Sequence, residues 1–174
     1  MAWTDTTIEN GRVRLRPFTK SDKPFIRELC ADQDVRRYLG GPLDPVEIDQ
    51  LVAGEVGVTP GVFCVVDISM AEAVGSVELD HHHGEPEVSY EFLPRAWGKG
   101  LATAALTELL SWTWSDHQYE SVIAVTQTAN QPSIRLLERL GFAFKTEFEE
   151  WNAMQSRYRL LRPRCQTEPP SGNQ

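Results

Sequence analysis

Tyr90-Glu91-Phe92-Leu93-Pro94-Arg95-Ala96-Trp97-Gly98-Lys99-Gly100-Leu101-Ala102-Thr103 decides the reading of this chain, because it joins a β-rich run to the start of a long apolar helix through two glycines. The first amides of a helix have no intrahelical acceptor, and the helix dipole adds positive potential there. Glycine lets an anion approach without a Cβ in the way. Small residues stand at Gly98, Gly100 and Ala102, where that matters. The same glycines also serve simply to turn a chain from strand to helix, and their spacing alone does not separate the two readings. No Gly-Lys-Ser/Thr follows, which excludes a Walker loop, and the strands upstream lack the βαβ alternation of a dinucleotide fold.

Upstream, Val13 and Leu15 alternate with Arg12, Arg14 and Arg16 ahead of Pro17, the period of a half-buried strand over 12–17. Thr19 or Ser21 caps a helix with Pro24 in its first turn, and Phe25, Ile26, Leu29 and Cys30 give it an apolar face to about Ala31. A short helix through Val35 and Tyr38 follows. Gly40-Gly41-Pro42 then breaks the chain and Asp44-Pro45 starts another helix with Ile48, Leu51 and Val52 inside. Three β-rich runs at 62–66, 73–80 and 87–93 predict neighbouring antiparallel strands.

Downstream, 101–114 predicts a long, largely buried helix, 122–125 a strand, and 131–140 a helix stopped by Gly141 in the left-handed position after its end. Two more strands fall at 142–151 and 155–162. The order β, helices, βββ, α, β, α, ββ predicts one α+β domain on a mostly antiparallel sheet of about seven strands.

A chain of 174 residues is long enough to bury a core without staples, and too short for two full domains. No apolar run approaches the ~18 residues of a membrane span, and no secretory leader is visible at the N-terminus, so the expected location is the cytoplasm. Cys30, Cys64 and Cys165 have no C-x-x-C spacing, so they are expected to be reduced and structural. A formal net charge of −8 opposes nucleic-acid binding and favours cationic partners.

Four ordered segments resemble the GNAT acetyltransferases, in the branch of the ribosomal-protein-alanine N-acetyltransferases RimJ and RimL. They are Arg14-Leu15-Arg16-Pro17, the run from Glu87 to Pro94, Trp97-Gly98-Lys99-Gly100-Leu101-Ala102, and Asn130-x-x-Ser133-x-Arg135-x-x-Glu138-x-x-Gly141-Phe142. The resemblance runs from Arg12 to about Arg162. It implies a GNAT domain over 12–163 after an N-terminal extension over 1–11, and the polar composition of 164–174 predicts a disordered tail.

The family's acetyl-CoA loop is Gln/Arg-x-x-Gly-x-Gly/Ala. Gly100 and Ala102 fit it, while Trp97 departs from its first position. The resemblance implies backbone groups of Tyr90, Glu91 and Phe92 along the pantetheine arm. It implies that amides across Gly98, Lys99, Gly100, Leu101, Ala102 and Thr103, with Trp97 beside them, hold the pyrophosphate. It also implies a sheet splayed between its fourth and fifth strands, with a bulge near the end of the fourth. Asn130, Ser133 and Arg135 become cofactor contacts. Read from the residues alone, Asn130 is equally a helix cap, Ser133 a local backbone bond and Arg135 part of a solvated face.

Acetyl transfer to an amine needs a neutral nucleophile, a stabilised oxyanion and a proton for the departing thiolate. Many relatives use a tyrosine seven residues after the Asn as the acid; Leu137 stands there, and Ser133 is the substitute expected. Some place a glutamate five residues before the Asn; Val125 stands there. Glu87 and Glu91 alternate with Ser89 on one face of a strand and are the candidate bases, or else solvated edge carboxylates.

Asp80-His81-His82-His83-Gly84-Glu85 is read as a polar loop rather than a metal tract, because consecutive histidines point different ways; no metal is expected. Of the five tryptophans, Trp97 and Trp151 are placed to line a cleft and the rest to pack in the core. The leading expectation is an acetyl-CoA-dependent N-acetyltransferase. Its acceptor is a primary amine, on a protein or peptide N-terminus or a small cationic molecule, attacking directly in a ternary complex. A non-catalytic acyl-CoA-binding module is the alternative, and a homodimer is left open.

Overall fold

A computed structural model of the chain describes residues 5–54, 56–57, 59–116 and 118–163. Trp3, Cys165 and the 164–174 tail lie outside the described residues. The strands are β1 (Ile8–Glu9), β2 (Val13–Pro17), β3 (Val62–Asp67), β4 (Glu72–Asp80), β5 (Glu87–Phe92), β6 (Ser121–Gln127), β7 (Ala143–Glu150) and β8 (Ala153–Leu161). The helices are α1 (Lys23–Ala31), α2 (Pro45–Ala53), α3 (Leu101–Asp116) and α4 (Gln131–Arg139), with a 3-10 turn at Val35–Tyr38.

One eight-stranded sheet runs in the order β1-β2-β3-β4-β5-β6-β8-β7, antiparallel throughout except for β5 against β6. The eighth strand is β1, which pairs two residues of the N-terminal segment with β2 through Ile8–Leu15 and Glu9–Arg14. The β4–β5 register runs without a shift from Gly75–Phe92 to Asp80–Glu87. The bulge expected near the end of the 87–93 strand is therefore not found, and register shifts fall instead at Val65/Val66 and Phe144/Thr146.

Alternation along the strands separates two cores. Val13, Leu15, Phe63, Val65, Val77 and Leu79 face α3 and α4, where Ala105, Leu106, Leu109 and Leu137 are fully buried. Cys64 and Val66 point the other way, onto Phe25 and Leu29 of α1. The β2 arginines obey the same rule: Arg16 turns out of the main core and binds buried Asp22 through two bonds of 2.7 and 2.8 Å. Asp22 also accepts from the Thr19 amide, closing the turn that leads into α1. Gly141 takes φ +89°, as a residue just past a helix end requires. Among the described residues no helix is long and apolar enough to cross a membrane.

Candidate functional site

The parallel pair is where the sheet opens. β5 and β6 are in register only at Glu87–Ile123, with the Ile123 amide on the Pro86 carbonyl at 2.8 Å. Beyond that point the strands part. The Leu93 amide bonds Val74 of β4, so by alternation Glu91 turns its main-chain groups to β4, whereas Tyr90 and Phe92 turn theirs to the gap. Of the three backbones expected along the pantetheine, two face the opening.

Two cavities flank this gap, one of about 600 Å³ and one of about 240 Å³, and both have Tyr90, Asn130 and Ser133 in their walls. Val125 and Leu137, standing where relatives place a base and an acid, line the larger one. Trp97 lines the smaller and Trp151 the larger, as the sequence placed them, whereas Trp112 packs edge-on against Phe63 at 5.2 Å.

The glycine loop fits a polyanion. Gly98 and Gly100 take φ +70° and +74°, the left-handed region that favours glycine, and a Cβ on Gly98 would meet nothing within 4 Å. The loop delivers the chain into α3, where the Ala104 amide donates to the Gly100 carbonyl at 3.0 Å. The amides before it belong to the unsatisfied first turn. Leu101 is buried and anchors the helix, while Ala102 and Thr103 are half-buried and Lys99 exposed. Arg12 adds a cation: its guanidinium donates to the Lys99 carbonyl at 2.7 Å and lies beside Gly100. The Trp97 indole donates to the Phe92 carbonyl at 2.7 Å, so this residue braces the loop against β5.

Asn130 caps α4, its side-chain oxygen accepting from the Ser133 amide at 3.3 Å. The Ser133 hydroxyl lies 2.6 Å from the Tyr90 phenol, which joins α4 to β5 across the gap. Burial pushes the Tyr90 phenol up to about 12 against the opposing effect of Ser133, so it stays protonated. Arg135 stands exposed on α4 and lines neither cavity.

On the opposite face of β5, Glu87 is buried and Ser89 and Glu91 are half-buried. Glu91 lies 3.8 Å from Arg36, and its Oε2 is buried without a hydrogen bond. Desolvation raises its carboxyl, Arg36 lowers it and Glu78 raises it, with a net upward shift. Glu87 meets His83, whose Nδ1 lies 2.5 Å from Glu87 Oε2 and whose Nε2 lies 3.1 Å from Glu150 Oε2. The three rings of the histidine tract part ways: His81 packs on Tyr119, His82 on Trp151, and His83 turns inward.

Sequence reasoning missed Arg12, Arg36 and Glu150 as site residues and gave Tyr90 only a backbone part. Each reaches the site from an element remote in sequence. The one readable sign was the alternation that brings Arg12 to the same edge as Arg14 and Arg16.

Residues 12–143 match the model of the acetyltransferase (GNAT) domain. The Bacillus subtilis uncharacterized N-acetyltransferase YoaA is 27% identical over 78% of this chain and 81% of its own length. The spermidine N(1)-acetyltransferase of Escherichia coli strain K12 is 25% identical over 84% of this chain and 81% of its own. A crystal structure of a GNAT-family acetyltransferase from Bacillus anthracis superposes with a TM-score of 0.79 at 25% identity, covering 90% of this chain and 98% of that one. With its sheet opened at a single parallel pair beside a left-handed glycine loop, the chain belongs to the GNAT acetyltransferase family and is an acyltransferase.

Proposed function

We propose that the enzyme moves the acetyl group of acetyl-CoA to a primary amine on a small cationic molecule or a protein N-terminus, after the manner of the RimJ/RimL-like branch, by direct attack in a ternary complex. The observation that carries this reading is the meeting of the two cavities at Tyr90 and Ser133, directly beyond the Gly98–Gly100 loop. In it, the first amides of α3 and the Arg12 guanidinium hold the pyrophosphate, and the gap-facing main chain of Tyr90 and Phe92 aligns the pantetheine.

The larger cavity takes the acceptor. Its wall holds Asp80 and Glu87, and Glu91 stands on the same strand face, which suits an ammonium group and agrees with the acidic balance of the chain. Glu87 is the base that frees the amine, directly or through water. As the carbon–nitrogen bond forms and the carbon–sulfur bond breaks, the Ser133 hydroxyl, held by the Tyr90 phenol, gives its proton to the thiolate, and the second N–H proton of the acceptor, released as the amide forms, restores the Ser133–Tyr90 pair.

Calorimetric titration with acetyl-CoA, followed by free-thiol release with spermidine, spermine and peptides bearing N-terminal Ala or Ser, tests the proposal. Saturable binding with thiol release from an amine is expected. Binding without release from any of them would reduce the protein to an acyl-CoA-binding module, and no binding would displace the cofactor from the 98–103 loop.

A further inference from the structure

The geometry points to a proton exit path in which His83 passes the acceptor's ammonium proton from Glu87, in the cavity, to Glu150 at the surface. The inference rests on the acetyl-transfer reading above and on Glu87 as its base. Three elements bring the groups together: β5 supplies Glu87, the loop after β4 supplies His83 and β7 supplies Glu150. The contacts are 2.5 and 3.1 Å, one on each ring nitrogen. Side-chain exposure rises along the row, 8% at Glu87, 12% at His83 and 31% at Glu150. Glu87 and His83 both line the larger cavity, so the row starts at the acceptor and ends in water.

The chemistry needs such an exit. An alkylammonium loses its proton near pH 10, about six units above an ordinary glutamate, so a lone carboxylate holds the proton too weakly to keep it from returning to the amine. An imidazole behind the carboxylate removes it. The ammonium N–H bond breaks toward Glu87, Glu87 passes the proton to a free Nδ1, and the Nε2 proton leaves to Glu150 and then to solvent. One proton enters and one leaves; the ring regains its starting tautomer by exchange with water.

The groups facing His83 favour this traffic. Desolvation pulls its imidazole down, but the hydrogen bonds and charges of Glu87 and Glu150 outweigh it and hold His83 above its ordinary value. His82 of the same loop lies with its ring 4.9 Å away, and Phe148 and Trp151 cover the site with ring separations of 5.9 and 6.5 Å. Arg157 and Arg159 of β8 are turned to Glu85 instead. Because the path works only when His83 can accept a proton, turnover rises with pH through a value above the ordinary 6.5.

The test combines a proton–carbon NMR titration of the histidine Cε1 groups with the pH profile of kcat/KM, spermidine and the other panel amines being the probe acceptors. Wild type, Glu150→Gln and His83→Gln are compared on the full chain. One histidine is expected to titrate above 6.5 and to vanish from the spectrum in His83→Gln. In Glu150→Gln, which keeps a hydrogen-bond acceptor but loses the charge, that titration falls by about half a unit or more, and the acidic limb of kcat/KM moves down with it. A merely structural clamp leaves the limb in place.

His83 titrating at or below 6.5 overturns the path, as does a limb that stays put in an active Glu150→Gln enzyme whose His83 has shifted. Absence of thiol release from every amine by a wild type that binds acetyl-CoA removes the transferase reading, and the path falls with it.

Discussion

Tyr90 and Ser133 put two hydroxyls 2.6 Å apart, one helix turn before the position where the family resemblance implied a tyrosine. Leu137, at that helix position, is wholly buried and has no proton to give. Since the phenol keeps its proton up to about 12, the pair is a donor over any working range and adds no basic limb below that value. Ser133→Ala is expected to lower kcat about a hundredfold, the ordinary worth of a positioned acid. Stopped-flow or endpoint thiol release measures that loss, and calorimetry measures acetyl-CoA affinity, which should stay within about threefold. An equal loss in both would make Ser133 a cofactor contact and move the acid elsewhere. Tyr90→Phe keeps the apolar packing and should reproduce part of the kcat loss, because Ser133 is then left without its phenol partner.

Among the elements, the turn from β5 into α3 carries the cofactor reading. At Gly100 the constraint is conformational: φ is +74°, and a Cβ would touch the Arg12 guanidinium only at an ordinary 3.5 Å. Forcing an L-residue there costs about 1–2 kcal/mol, a small part of a domain's stability. Gly100→Trp should therefore melt cooperatively a few degrees below wild type while giving no calorimetric heat with acetyl-CoA, since the indole fills the mouth of the loop. Unchanged affinity would sink the placement of the pyrophosphate.

The same turn shows how far the sequence could be read. Two glycines, a buried Leu101 and a proline-free apolar run were enough to place a strand, a loop and a helix, because each signal is local. The strand at 12–17 was legible from alternation, and those at 62–66, 73–80 and 87–93 from their β-rich composition. β1 was not, because two residues have no period; its strand character comes from pairing with β2. In the same way the acids of the site were visible on β5, whereas Arg36, which faces Glu91, and Glu150, which faces His83, were not. Their proximity is a property of the folded sheet and leaves no mark in residue spacing.

At the scale of the molecule, the sheet is two unequal pieces, β1–β5 and β6–β8, joined at one register pair. Hydrophobic burial by α3 and α4 holds them together, and beyond Glu87–Ile123 the strand edges along the gap do not pair with each other. The Ile123 amide bonds across to Pro86, so alternation aims the Val125 and Gln127 amides of β6 into the opening, opposite Tyr90 and Phe92 of β5. A pantetheine lying between the two edges shields both. Hydrogen exchange with and without acetyl-CoA should show slowed exchange at Tyr90, Phe92, Val125 and Gln127, on both sides of the gap at once. Amides of β3, paired with β2 on one edge and β4 on the other, should change only with global stability. Ligand at a hundred times Kd stabilises the fold by about 2.7 kcal/mol, which for a chain of this size raises Tm by about 5–10 °C. Protection confined to the 98–103 loop, with β6 unchanged, would mean that the nucleotide end binds while the acyl arm stays outside the gap. The acceptor cavity would then have no thioester to meet, and the transfer geometry proposed for Tyr90, Ser133 and Glu87 would fail as a whole.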